Sequence, residues 1–144
     1  MSTKANKTVL KRIYEEVFNK GNLAAVGELH AANFVLHGPG GMELNGSTEA
    51  KEYVRGFRAA FPDVCVTVEN MVAEGDYVAD RVSITGTHRG DWTGIAPTGK
   101  RVTITCNALS RFEGGKQAEV WEEFDMLSLM QQLGVIPPMG PPGK

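Results

Sequence analysis

Residues 101–124 read RVTITCNALSRFEGGKQAEVWEEF and carry the clearest structural signal in the chain. Apolar and polar residues alternate on both sides of the segment Glu113–Lys116, which contains two adjacent glycines. A period of two is typical of a strand that buries one face, and Gly-Gly between two such runs is typical of a hairpin turn. The stretch therefore predicts two long antiparallel strands.

The same alternation precedes this hairpin, at residues 64–69 and 77–84, with a turn at Gly75-Asp76. The first sixty residues instead repeat their apolar positions every three or four residues, which predicts helices over 3–19 and 47–60 and a shorter one near 23–30. Phe34 to Leu36 predict a short strand, and a last short helix is expected over 126–133.

Helices first and a meander of strands second indicate an α+β fold, with the helices packed on one face of a curved antiparallel sheet. Such a sheet, rolled around helices, leaves an open-ended apolar pocket. The expected organisation is a single domain over 1–134, followed by a tail over 135–144 that is rich in proline and glycine and packs on something, such as a neighbouring subunit.

Composition excludes several classes of function. The 144 residues contain 15 Lys and Arg against 17 Asp and Glu, a net charge of −2, which is a poor match to nucleic acid. No apolar run is long enough for a membrane span or a secretory signal, so a cytoplasmic protein without a membrane partner is expected. The two cysteines and three histidines lack metal-ligand spacing, and nucleotide-binding and Gly-x-Ser-x-Gly motifs are missing; no metal or cofactor is therefore predicted.

Glu122 is the most informative candidate. Strand alternation places Val120, Glu122 and Phe124 on one face and Trp121 on the other. If Val120 and Phe124 face the pocket, burial raises the pKa of Glu122 toward neutrality, which suits a general acid or base. In the alternative arrangement Trp121 faces inward and Glu122 lies in water, and periodicity does not decide between the two.

Other candidates have two interpretations each. Asp125 is either a second acid or the cap of the last helix. His37, at a strand end, either orients a substrate carbonyl or is a plain surface histidine, and Asp80, on an apolar strand face, is either a pocket acid or the partner of a nearby base. The sequence does not indicate which way the His88 side chain points. His30 is expected at the end of a helix, where the helix dipole stabilises a positive charge.

Three motifs together carry a family resemblance. They are the loop GTHRGDWTGIAPTGK at Gly86–Lys100, RFEGGK at Arg111–Lys116, and W-x-x-x-D with QQLG at Trp121, Asp125 and Gln131–Gly134. With Phe34–His37, they cover nearly the whole chain. The sequence resembles the SnoaL-like polyketide cyclases, also called ester cyclases.

The resemblance implies the cone-shaped α+β barrel shared with ketosteroid isomerases, and an intramolecular aldol closure of a polyketide ester without metal or cofactor. It puts Glu122 at the place of the family's acid/base aspartate and Asp125 at its second acid. The polar partners of the cyclases are replaced here by Cys106, Ala108 and Val120.

The expected function is cofactor-free acid/base chemistry on a hydrophobic, carbonyl-bearing molecule, with Glu122, Asp125 and His37 as catalytic residues. Isomerase, hydratase or epoxide hydrolase chemistry in the same pocket is one alternative, and a binding module without chemistry is another. A homodimer or higher homo-oligomer is expected, because Trp121, Leu109 and Tyr77 would otherwise be exposed on the outer sheet face. The expected pocket is lined by Tyr53, Phe57, Asp80, His88, Trp92, Ile95, Cys106, Ala108, Val120 and Phe124.

Overall fold

The structure is a computed structural model that describes residues 2–138. Three helices and two strands form the first half: α1 (Thr3–Arg12), α2 (Ala24–Leu29), β1 (His30–His37), β2 (Glu43–Asn45) and α3 (Gly46–Ala60). Four strands and a helix follow: β3 (Cys65–Glu74), β4 (Tyr77–Thr87), β5 (Arg101–Glu113), β6 (Lys116–Phe124) and α4 (Met126–Leu133).

The six strands form one curved, unclosed sheet in the order β2-β1-β6-β5-β4-β3. The hairpins predicted from the alternation are confirmed: β3 pairs with β4, β4 with β5 and β5 with β6, all antiparallel. One neighbouring pair, β1 with β6, is parallel, so β6 lies inside the sheet between the first and the fifth strand. The α+β prediction is confirmed.

Helices α1 and α3 pack across one face of this sheet. The helix predicted over 3–19 is regular only to Arg12 and continues as a π-helical segment, Ile13–Asn19, in which Lys20 N bonds Glu15 O. A wider turn of this kind is frequent at functional sites. It presents Tyr14 and Phe18 to the interior, beside the sheet.

The core lies between the helices and the sheet. Its largest cluster joins residues of α1, α2 and β1 to Val120 of β6. A second cluster joins the end of α3, the loop after β4 and helix α4. Of the predicted tail, residues 139–144 lie outside the described part of the chain. Val135, before them, is about half exposed and its amide bonds Met130 O.

None of the helices within residues 2–138 is long and apolar enough to cross a membrane.

Candidate functional site

An elongated cavity separates the π-helical segment and α3 from the inner face of the sheet. It has two adjoining lobes that share Tyr14, Phe18, Tyr53 and Glu122. We call them the His30 lobe and the Phe124 lobe. Each has a cavity volume of about 40 Å³, and both are partly open to solvent. Their remaining lining is mostly aliphatic and aromatic, so a ligand here would be largely apolar.

Glu122 stands on the wall that the two lobes share. It reaches that position because Val120 and Phe124, its neighbours on the same face of β6, line the cavity, while Trp121 is 38% exposed on the outer face. Within residues 2–138 its carboxylate has no hydrogen-bond or salt-bridge partner. Burial, with the nearby Asp80 and Glu123 carboxylates, raises the pKa of Glu122 to about 7.

Asp80 lies on β4, behind the cavity wall, and is buried. The hydroxyl of Tyr14 donates a hydrogen bond of 2.5 Å to Asp80 Oδ2, while Asp80 Oδ1 is buried without a partner among the described residues. Burial raises the pKa of Asp80 to about 6, and the Tyr14 bond opposes that shift. Two carboxyl groups with raised pKa therefore lie near each other, one in the cavity and one held by a tyrosine.

Tyr53 is the second phenol of the cavity, on α3, and it lines both lobes. Burial, with the Glu122 carboxylate nearby, raises the pKa of Tyr53 well above its ordinary value, so it is a neutral donor. Its hydroxyl has no partner in the described part of the chain. Burial also raises the pKa of the Cys106 thiol, which lines the Phe124 lobe as a neutral group.

The predicted lining residues are partly brought together. Tyr53, Phe57, Cys106, Val120 and Phe124 line one or both lobes. Ala108 is buried in the main core cluster, and it lies outside the lining of either lobe. Asp80 reaches the cavity only through Tyr14.

His37 lies away from the cavity. Because Phe34 and Leu36 face inward on β1, His37 faces the outer side of the sheet, where its ring stacks on Trp121 at a centroid distance of 5.5 Å. Its Nε2 donates to Glu119 Oε2 at 2.7 Å. That bond, together with Arg111, holds the pKa of Glu119 below its ordinary range.

His88, Trp92 and Ile95 also lie apart from both lobes. His88 is fully buried and stacks on Phe61, and its Nδ1 accepts from the Thr98 amide at 3.2 Å. Trp92 meets the same Phe61 edge-on, and Ile95 pairs with Trp92. These contacts fold the loop 88–100 onto the second core cluster, which gives the three residues a packing role where lining was predicted.

Asp125 follows β6 and is exposed. Its Oδ1 accepts from the Ser128 amide at 3.0 Å, which makes it the N-terminal cap of α4. The capping interpretation fits this geometry, and the carboxylate is not part of the cavity lining.

Most of the lining was not predicted from the sequence, and the unpredicted residues include Tyr14, Phe18, His30 and Gln117. Tyr14 and Phe18 belong to an apolar helical stripe that is indistinguishable from ordinary core. His30 caps the C-terminus of α2, as predicted, and begins β1. The expected positive charge is wrong, because burial lowers the pKa of His30 to about 4 and keeps the ring neutral.

Gln117 faces inward because β6 has an irregularity at Ala118. Arg111 pairs with Glu119 and Phe112 with Gln117, which leaves Ala118 without an opposite residue. One extra residue reverses the alternation, so Gln117 shares the inner face with Val120 and Glu122.

Comparison with known proteins identifies relatives of this arrangement. A family model described as SnoaL-like polyketide cyclase matches residues 8–133. No curated protein sequence matches the chain.

Solved structures of similar shape are numerous. IdmH from Streptomyces antibioticus, provisionally assigned as a polyketide cyclase, is 31% identical, with 90% of this chain and 98% of that chain covered and a TM-score of 0.79. AclR from Streptomyces galilaeus, provisionally assigned as a hydroxylase, is 29% identical, with coverages of 96% and 87% and a TM-score of 0.84.

A protein from Catenulispora acidiphila, described as having a ketosteroid isomerase-like fold, has a TM-score of 0.76 at 18% identity, with coverages of 92% and 97%. That likeness concerns the fold alone, and it agrees with the curved, unclosed sheet and its covering helices. Because the family model spans most of the chain, from α1 to the end of α4, this protein belongs to the SnoaL-like polyketide cyclase family.

Proposed function

We propose that this protein is a cofactor-free acid/base enzyme that acts on a hydrophobic, carbonyl-bearing small molecule. The observation that carries the proposal is the Glu122 carboxyl, free of partners among the described residues, on the wall shared by two apolar lobes. A carboxyl with a pKa near 7 exchanges protons efficiently at neutral pH.

The chemistry begins at the carbon next to the carbonyl. Glu122 takes a proton from that carbon, and the electron pair moves to the carbonyl oxygen, where the neutral Tyr53 hydroxyl donates to the developing oxyanion. In an intramolecular aldol closure the enolate carbon then forms a bond to a second carbonyl carbon of the same molecule. The new alkoxide takes the proton back from Glu122, so the carboxylate is regenerated.

This assignment uses neither Asp125 nor His37, the other two residues predicted to be catalytic. Asp125 caps a helix in solvent, and His37 lies on the outer face of the sheet beside Glu119. Their predicted roles would require a substrate that reaches beyond the cavity.

The test is exchange of the α-hydrogens of 4-phenylcyclohexanone in D₂O, followed by proton NMR. We expect exchange above the buffer rate with the wild-type protein and a loss of about 10²- to 10⁴-fold in Glu122→Gln, which keeps the side-chain shape without the base. Glu74→Gln is the matched control, because Glu74 is an exposed strand glutamate outside the lining of both lobes. Equal exchange in Glu122→Gln and wild type would remove Glu122 from the mechanism.

A binding module without chemistry is the second candidate. The Tyr14 hydroxyl is committed to Asp80, and Cys106 and Val120 are neutral or apolar, so few donors remain for an enolate. A binder should hold a neutral apolar ligand with an affinity that is nearly independent of pH and should leave its α-hydrogens in place. The reaction rate of an enzyme should instead vary with pH as a carboxyl group titrates.

The expected homodimer stays a proposal and is supported by the outer face of the sheet. Val72, Tyr77, Leu109 and Trp121 are exposed there, on four consecutive strands, and Leu109 pairs directly with Trp121. A second copy of the chain would remove this apolar stripe from water.

A further inference from the structure

The His30 lobe ends at a buried polar pair that the chemistry at Glu122 does not use. His30 begins β1 and Gln117 begins the inner face of β6, and the two are register partners in the parallel pairing of these strands. Both line the lobe, and both are less than a tenth exposed. Buried polar groups at the end of an otherwise apolar cavity are costly unless they are satisfied, so they point to a polar occupant.

The hydrogen bonds of this pair determine what it can recognise. His30 Nδ1 lies 3.1 Å from the Val26 carbonyl, which only accepts, so Nδ1 carries the hydrogen and Nε2 of the neutral ring is an acceptor. Gln117 donates one amide hydrogen to Ser110 Oγ at 2.8 Å. The Gln117 side chain also lies within hydrogen-bonding reach of the His30 ring. Two acceptors, His30 Nε2 and Gln117 Oε1, therefore share one remaining amide hydrogen of Gln117, which leaves one acceptor without a donor from this pair.

This excess of acceptors selects the chemistry of the occupant. A hydroxyl group supplies the missing donor, whereas a carboxylate or phosphate would meet lone pairs in a poorly solvated site. No Lys or Arg side chain lines this lobe in the described part of the chain, so an anion would find no countercharge there.

The spacing between this polar pair and Glu122 sets the length of ligand that could contact both. Gln117 and Glu122 are separated along β6 by a distance of about 16 Å at the usual strand rise, slightly reduced by the irregularity at Ala118. Both border one continuous lobe. A molecule that reacts at Glu122 and extends into this lobe would bring its remote end to His30.

We propose that His30 and Gln117 form a specificity subsite for a neutral hydroxyl group at the end of the substrate remote from the reacting carbonyl. This rests on the proposed function for the position of the reacting end. The substrate class is thereby narrowed to an elongated, mainly apolar ketone or ester with a terminal hydroxyl. His30 and Gln117 determine which molecule is held, while Glu122 performs the proton transfer.

The experiment compares two probes that differ by one hydroxyl, 4-phenylcyclohexanone and 4-(4-hydroxyphenyl)cyclohexanone. We expect the intact wild-type chain to bind the hydroxylated ketone about 3- to 10-fold more tightly, the usual value of one net hydrogen bond, as measured by calorimetry. Equal affinities, or weaker binding of the hydroxylated probe, would overturn the subsite.

Two variants assign the preference to residues. His30→Asn can still donate to the Val26 carbonyl but lacks Nε2, and Gln117→Met fills similar space without polar atoms. Each is expected to bring the two affinities within about twofold of each other. A preference that survives in both variants would contradict the assignment.

A measurement on the wild type keeps the test independent of variant folding. With ¹⁵N-labelled histidine, the Nε2 resonance of His30 should shift when the hydroxylated probe is added and should not shift with the parent ketone. The Glu122→Gln variant separates this proposal from the previous one, because it should lose α-hydrogen exchange and keep the hydroxyl preference. Loss of exchange alone concerns Glu122, and loss of preference alone concerns His30 and Gln117.

Discussion

The Tyr14 hydroxyl meets Asp80 Oδ2 at 2.5 Å, so a residue of the π-helical segment is tied to the middle of β4. This single bond is the only one that the described residues offer to the Asp80 carboxylate, because Oδ1 is buried without a partner. It joins the helical wall of the cavity to the sheet directly beside Glu122. The stability of the fold, the ionisation of Asp80 and the shape of the cavity therefore all depend on this hydrogen bond.

Tyr14→Phe removes the donor and leaves the cavity lining nearly unchanged in shape. Because the Tyr14 bond opposes the rise in the pKa of Asp80, its loss should raise that pKa further above about 6. At pH 8 the unsatisfied buried carboxylate should cost about 1–3 kcal/mol of unfolding free energy, and at pH 5, where it is protonated, the cost should be smaller. Urea unfolding at both pH values checks this. Tyr53→Phe is the matched control, because the Tyr53 hydroxyl has no hydrogen-bond partner among residues 2–138. An equal loss at both pH values would contradict the linkage.

Asp80→Asn tests the coupling between the two carboxyl groups. The Asp80 charge raises the pKa of Glu122, but burial is the larger cause. We therefore expect the pKa of Glu122 to fall below about 7 in the variant and to stay above 4.5, the ordinary value. Carboxyl-carbon NMR titration of Glu122, assigned with Glu122→Gln, measures this directly, and the pH midpoint of α-hydrogen exchange should move downward with it. An unmoved titration would show that the two groups act independently.

Glu122 should make the protein less stable as the pH rises. Its pKa is raised in the folded chain, so the folded state binds this proton more tightly than the unfolded state. Stability is then lost between about pH 4.5 and pH 7 and is constant above that range. Glu122→Gln lacks this loss and should be more stable than wild type at pH 8 by on the order of 1–3 kcal/mol, with a smaller difference at pH 5. Urea unfolding at the two pH values measures the difference, with Glu74→Gln as control. A difference that does not change with pH would refute the buried carboxyl.

A positive charge in the apolar stripe should dissociate the proposed dimer. Leu109→Lys places an ammonium group at the centre of the stripe, next to Trp121. Sedimentation velocity should show a dimer for wild type and a monomer for the variant, while Thr103→Lys, on an exposed position of the same strand, should remain dimeric. A wild-type monomer at micromolar concentration would exclude this use of the outer face.

Strand alternation predicted most of the fold and placed Glu122 on the same face of its strand as Val120 and Phe124, but it left open whether that face points inward. It was reliable in β4 and β5 because these two strands pair with each other in unbroken register, so apolar residues such as Val82 and Cys106 fall on one face. The same rule gives the outward direction of His37, since Phe34 and Leu36 before it are both buried.

The rest of the site depends on structural features that no local sequence pattern predicts. The unpaired Ala118 reverses the direction of Gln117, and the parallel pairing with β1 brings His30 beside it from a distant part of the chain. Trp92 was expected at the cavity because it lies in a loop near the strand ends. Its actual position follows from packing on Phe61, which depends on the end of α3.

The parallel pair β1 and β6 also sets the order in which the cavity can form. β6 follows the five other strands along the chain, yet it lies between β1 and β5 and contributes Gln117, Val120 and Glu122 to the wall. A nascent chain that ends before β6 therefore has its helices and two separate sheet edges, with apolar faces still open to water. Contacts that join distant parts of a chain form slowly. The proton-transferring residue is delivered by the same strand that unites the sheet, so an incompletely synthesised chain lacks the wall on which Glu122 stands.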